Sequence, residues 1–168
     1  MKLPICSFDA KSAVLCSKCE AKLRSGQITQ DDVEAAIKLI KLAERNHQIN
    51  KFTLVHGAKV NGDFVLVLRG PDVSVLRSNA DLASKIEKEM GRKVWFVETE
   101  ASERRFIENL FDPFKVLSVN FFWLPDSNKL TRVIIAEDTK GAPVNIEKIQ
   151  KIAKAVRNIE LLVEFKNK

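Results

Sequence analysis

The sequence predicts an α+β protein: two small units in tandem, each a three-stranded sheet packed by helices, behind a short cysteine-rich head. Three observations carry this reading. The chain has 168 residues, room for one medium domain or two of about 80 residues. Its three cysteines, Cys6, Cys16 and Cys19, all fall near the amino terminus. From Thr29 onward, helical and strand patterns come in an order that then largely recurs. The expected boundaries are 1–26 for the head, 27–100 for the first unit and 101–168 for the second.

With 45% hydrophobic and 30% charged residues and little Gly or Pro, the chain is not of a disordered, collagen-like or linker class. Its longest apolar runs, Phe64 to Leu68 and Val133 to Ala136, are far shorter than the roughly 20 residues that span a bilayer. Met1-Lys2-Leu3-Pro4 leads into no signal-peptide core, so a cytoplasmic location is expected. Lys and Arg number 28 against 22 Asp and Glu, a net charge of +6. That balance suits an anionic partner, nucleic acid or membrane surface. Neither histidine, His47 or His56, stands in an acid–base or nucleophilic motif, so no enzyme is expected.

The head holds Cys6-Ser-Phe-Asp9 and Cys16-Ser-Lys-Cys19. Two pairs of this spacing form knuckles, in which a tight turn aims two ligands at one point. Zinc takes four such ligands in a tetrahedron, from sulfur, imidazole nitrogen or carboxylate oxygen. Cys6, Asp9, Cys16 and Cys19 are therefore the candidate ligands of a structural zinc, with Asp9 where a fourth Cys would complete the pattern. His47 or His56 could stand in for Asp9. The plain alternative is that the thiols pack as small hydrophobes and Asp9 caps a turn.

In the first unit, Thr29-Gln-Asp-Asp32 is a capping box. It opens a helix through Arg45 with Val33, Ala36, Ile37, Ile40 and Ala43 on one face. Phe52 to Val60 reads as a strand, Asn61-Gly62 as a hairpin turn, and Phe64 to Arg69 as the partner strand. Pro71 opens a short helix through about Leu76. Ser78 with Asp81 caps another, with Leu82, Ile86 and Met90 inward and Gly91 at its end. Lys93 to Glu98 closes the unit. In the second unit, Ser102 caps a helix with Phe106, Ile107 and Leu110 inward. Strands follow over Phe114 to Trp123 and Leu130 to Ala136, around a Pro125-Asp-Ser-Asn128 turn. A helix over Asn145 to Arg157 and a strand over Ile159 to Phe165 complete it. Ile146, Ile149, Ile152, Ala153 and Val156 mark that helix's inner face, and no counterpart of the first unit's short helix precedes it.

Helix, strand, strand, helix, helix, strand is the element order of the type II KH domain, and the chain resembles the short archaeal NusA-like proteins with two KH units in tandem. The carriers are Phe64-Val-Leu-Val-Leu-Arg-Gly70, Lys93-Val-Trp-Phe-Val-Glu98, and Val119-Asn-Phe-Phe-Trp-Leu-Pro125 followed by Leu130 to Ile135. The cysteine head looks like that of relatives with an added metal-binding segment. The resemblance implies RNA binding in transcription elongation or termination. It also implies a Gly-x-x-Gly loop whose backbone clamps nucleotides. The corresponding stretches here, Arg77-Ser-Asn-Ala80 and Lys140-Gly141-Ala142-Pro143, depart from that pattern, and both units are degenerate as KH domains.

What remains is charge. Lys148, Lys151, Lys154 and Arg157 recur every three residues along the last helix, and Lys140 precedes it. Cations so spaced share one broad face; the ordinary fate of such lysines is a solvated surface. Four phosphate contacts give a salt slope of about −3 on single-stranded RNA. Arg69 and Arg77, with Arg92 and Lys93, make a second candidate patch. Phe121, Phe122 and Trp123 should alternate faces of a strand, with core packing or an interface between units as their expected role and base stacking as the alternative. The expected partner is single-stranded RNA. The competing reading is an adaptor whose head docks on RNA polymerase or the ribosome.

Overall fold

The computed structural model describes residues 1–112, 114–136 and 144–166, and the chain divides into two compact units, Met1–Glu100 and Ala101–Lys168. The α+β class holds in each.

The first unit is organised by helix α3 (Gln30–Arg45), which follows two short helices of the head, α1 (Ser7–Ser12) and α2 (Ser17–Ser25). The Thr29 side chain accepts the Asp32 N–H and the Asp32 carboxylate accepts the Thr29 N–H, completing the expected capping box. Val33, Ala36, Ile40 and Ala43 are buried as the periodicity requires and Leu39 and Leu42 join them, while Ile37 is only partly buried against that core. A 3-10 turn at Ile49–Lys51 delays strand β1, which runs Leu54–Val60 instead of starting at Phe52. Asn61 and Gly62, at φ 51° and 87°, turn the chain into β2 (Asp63–Leu68). Two positive φ angles match the right-handed twist of the strands, which is why Asn-Gly is favoured here.

Pro71 lies in the first turn of α4 (Gly70–Ser78), which runs further than the sequence pattern indicated. Ser78 is the last residue of that helix, so the cap of α5 (Ala80–Met90) falls to Asn79, whose Oδ1 accepts the Leu82 N–H at 3.1 Å. Gly91 closes α5 at φ 72°, and Lys38 of α3 donates to the Met90 carbonyl at 3.2 Å. Strand β3 (Val94–Glu98) lies parallel to β2, while β1 lies antiparallel on its other side. The crossover through α4 and α5 places Val73, Leu76, Leu82, Ile86 and Met90 in one core with α3 and the inward residues Phe64, Leu66 and Leu68. A methyl group at Gly57 would lie 2.9 Å from the Ala35 Cβ, so α3 crosses β1 where no side chain fits.

The second unit repeats the pattern: α6 (Glu103–Phe111), β4 (Val116–Trp123), β5 (Lys129–Ala136), α7 (Ile146–Arg157) and β6 (Glu160–Lys166). Strand β5 is central, antiparallel to β4 and parallel to β6. Its Thr131, Val133 and Ile135 face inward toward the apolar sides of α6 (Phe106, Ile107, Leu110, Phe111) and α7 (Ile149, Ile152, Ala153). Ile146 and Val156 are only half-buried, because they sit in the end turns of α7. Strand β4 begins two residues later than expected, after a turn in which the Phe114 N–H reaches the Phe111 carbonyl. The loop stretch Lys140-Gly141-Ala142-Pro143 lies outside the described residues.

Candidate metal centre and basic surfaces

Each ligand pair of the head opens a helix. Cys6 and Cys16 are the N-cap residues of α1 and α2, with extended backbones at φ −68° and −76°, and Asp9 and Cys19 stand in the first turns that follow. A capping residue and the residue three beyond it point toward each other across a helix start. Neither cysteine uses its side chain as a cap. Instead the two starts face one another, and the ligating atoms of Cys6, Asp9, Cys16 and Cys19 all lie within 4.8 Å of one another. The segment is anchored to the body of the unit. Ile5, Ala10 and Cys19 belong to the core shared with α3, and Lys2 bridges Thr53 through the Lys2 N–H to Phe52 carbonyl and Leu54 N–H to Lys2 carbonyl bonds.

Asp9 decides what this cluster is built for. Its side chain is 1% exposed. One carboxylate oxygen accepts the Cys16 N–H at 2.9 Å, while the other is buried with no hydrogen-bond partner. A buried carboxylate oxygen left without a donor is costly. The Asp9 carboxylate lies within 4.8 Å of three sulfurs, and a cation held by all four groups removes that cost. Without an ion, the nearby Cys19 thiol and the Cys16 N–H hold the Asp9 carboxyl well below the usual carboxylate range. The nearby Asp9 carboxylate, with burial, pushes the Cys19 thiol up to about 12. The four residues thus fit a metal ion in a site whose ligands are all supplied by the chain.

Neither histidine joins the cluster. His56 Nδ1 lies 2.6 Å from Asp32 Oδ1, and Asp32 also accepts the Gly57 N–H at 2.7 Å. The capping carboxylate of α3 therefore also fastens β1. Sequence reasoning found its first role and missed the second, because the bond to Gly57 spans 25 residues.

No protein-family model and no curated protein matches this chain. Among solved structures, the crystal structure of APE1850 superposes with a TM-score of 0.52 at 16% identity, over 76% of this chain and 96% of that one. The two chains share a fold. Identity this low carries no further conclusion about chemistry.

The basic residues singled out by the sequence are placed as follows. Lys148, Lys151, Lys154 and Arg157 all lie on α7, whose first turn is capped by the Asn145 side chain accepting the Lys148 N–H at 3.0 Å. Lys151 pairs with Glu147 at 3.0 Å and Lys154 with Glu160 at 3.1 Å, while the Arg157 guanidinium stacks 4.7 Å from the Phe106 ring centre. The two ion pairs are exposed and of the kind worth at most about 1 kcal/mol. Arg69 and Arg77 are both exposed, but they sit at opposite ends of α4, about 12 Å apart along its axis.

The joint between α4 and α5 is a single residue, Asn79. Of the Arg77-Ser-Asn-Ala80 stretch, Arg77 and Ser78 end α4 and Ala80 begins α5. The Leu82 N–H is taken by the Asn79 side chain, and Ser78 Oγ donates to the Val75 carbonyl. The aromatic run of β4 also departs from expectation. Phe121 and Phe122 are each 46% exposed and Trp123 is 73% exposed, so none of the three is a core residue. Lys129 stands over the Phe121 ring at 4.2 Å, held there by Glu103.

Proposed function

We propose that this chain is an RNA-binding factor of the NusA-like kind, contacting the sugar-phosphate backbone of single-stranded RNA with two degenerate KH-like units and steadied by a zinc-tied head. The observation that carries the reading is the repeated module: helix, antiparallel strand pair, helical crossover, parallel third strand, twice in one basic chain. The first unit has the full type II KH element order. Zinc is favoured for the head because three thiols and one carboxylate make a four-ligand, sulfur-rich set.

The backbone mode follows from the joint between α4 and α5. With no glycine there and the first-turn amide of Leu82 already capped, close clamping of nucleotides gives way to charge. The lysines of α7 are the strongest row. Binding of a fluorescent oligouridylate is therefore expected to weaken with salt, log Kd rising against log salt with a slope of at least about 3. The triple variant Lys148→Glu, Lys151→Glu, Lys154→Glu is expected to lose more than tenfold in affinity at 100 mM salt while keeping its melting temperature within a few degrees. A folded triple variant that binds as tightly as the parent removes α7 from the interface.

The exposed Phe121, Phe122 and Trp123 at the β4–β5 tip favour a second reading, an adaptor docking on RNA polymerase or the ribosome. Salt-independent association with such an assembly, in a chain that binds no RNA, is the result that would select it.

A further inference from the structure

The head carries more than a metal cluster. Phe8 is 77% exposed and Val14 is 68% exposed, and both lie in the stretch that also supplies Asp9. The reason is the ligand geometry. In Cys6-Ser-Phe-Asp9 and Cys16-Ser-Lys-Cys19 the first and fourth side chains turn inward to the cluster, so the third must point away from it. Phe8 and Lys18 occupy this equivalent outward position in the two turns. Lys11, three residues beyond Phe8, shares its side of α1.

The charge around them is one-sided. Within residues 1–26 there are five cations, Lys2, Lys11, Lys18, Lys22 and Arg24, against two carboxylates, one of which is the inward Asp9. Lys18 and Lys22 have no carboxylate partner among the described residues, and Lys11 has only a 3.8 Å contact with Glu44. Phe8, with Lys11 on the same side of α1, matches the combination that single-stranded nucleic acid requires: a flat apolar surface for a base and a cation for a neighbouring phosphate. A protein partner with an acidic, apolar surface is the competing occupant. It is disfavoured because a lone ring and a valine offer little area for a protein core contact.

We infer that the outer face of the head binds single-stranded RNA, with a base stacked on Phe8 and Lys11 neutralising a flanking phosphate. This rests on the RNA-binding reading above and adds to it a contact surface apart from α7. The cluster fixes the ring and Lys11 in place, so the metal acts as the rigid support of a binding surface.

The test uses the full, metal-loaded chain and a 5′-fluorescent 12-nucleotide oligouridylate in anisotropy titrations at several salt concentrations. Phe8→Ala is expected to weaken binding about fivefold or more, the effect of one lost base stack, with the salt slope unchanged. Phe8→Tyr should restore most of the affinity. Lys11→Ala should make the slope shallower by about 0.7, the loss of one phosphate contact. Since these side chains are exposed, metal content and melting temperature should not change in any of the variants. If the parent binds RNA and all head variants stay within twofold of it, the inference is overturned while the RNA-binding reading stands, and the face is left to a protein partner. A parent that binds no RNA at 50 mM salt overturns both.

Discussion

Replacing Cys16 with Ser, or stripping the ion with a chelator, is expected to lower the melting temperature of the first unit by about 10–20 °C, from roughly 2.7 kcal/mol of binding linkage at a hundredfold excess over Kd and about 4–8 °C per kcal/mol. The size of the effect follows from where the head is tied. Ile5, Ala10 and Cys19 share the core of α3, and Lys2 is bridged to Thr53, so loosening the cluster exposes part of that core. It also leaves the inner Asp9 oxygen without a partner. Metal analysis of the purified chain should give one zinc per chain, and Cys16→Ser should lose it. Metal-free protein with an unchanged melting curve would mean that three thiols and a carboxylate pack here for their own sake.

The second large effect is expected at Asp32. Its carboxylate is 2% exposed and takes the Thr29 N–H at 2.7 Å, the Thr29 hydroxyl at 3.0 Å, the Gly57 N–H at 2.7 Å and the His56 ring. Asp32→Ala removes the acidic half of the capping box and strands the buried Gly57 amide, a combined loss of about 2–4 kcal/mol. Burial pushes the Asp32 carboxyl up, but the hydrogen bonds from His56, Gly57 and Thr29 outweigh it and leave it below the usual range. For His56, the hydrogen bond to Asp32 outweighs burial and raises its pKa. The signs define a window. A raised His56 contributes stability that is fully present below its unfolded value near 6.5 and lost as pH rises through the folded value. A lowered Asp32 contributes stability present above about 3.9 and lost as pH falls through its folded value. The pair therefore supports the first unit best between about pH 4 and 6.5. Thermal melts should show stability declining above that window in the parent, and Asp32→Asn should flatten the decline. An identical pH profile in Asp32→Asn would show that the pair does not matter.

Much of this was legible in the residues. Ser/Thr-x-x-acid at Thr29, Asn61-Gly62, Pro71 and Gly91 each act through local backbone chemistry, and each lies where that chemistry puts it. The Cys-x2-Asp and Cys-x2-Cys spacings were sufficient to nominate four ligands that the fold brings within 4.8 Å. The helices that hold them were not legible, because α1 has only six residues and shows no periodicity. Ser78 and Asn79 are both good capping residues, and only the two further residues of α4 decide between them. Exposure of Phe121, Phe122 and Trp123 was hidden for a different reason. Strand alternation predicts two faces, but not which of them the other elements cover. The second bond of Asp32 and the close approach at Gly57 are tertiary facts with no local signature.

The most direct test of the central claim is ultraviolet crosslinking of the purified, metal-loaded chain to a single-stranded oligouridylate at low salt, with the crosslinked peptides identified by mass spectrometry. RNA-dependent crosslinks confined to residues 1–26 and to α7, and lost as salt is raised, are the predicted result. A folded, metal-loaded chain that yields no crosslink at 50 mM salt would contradict it.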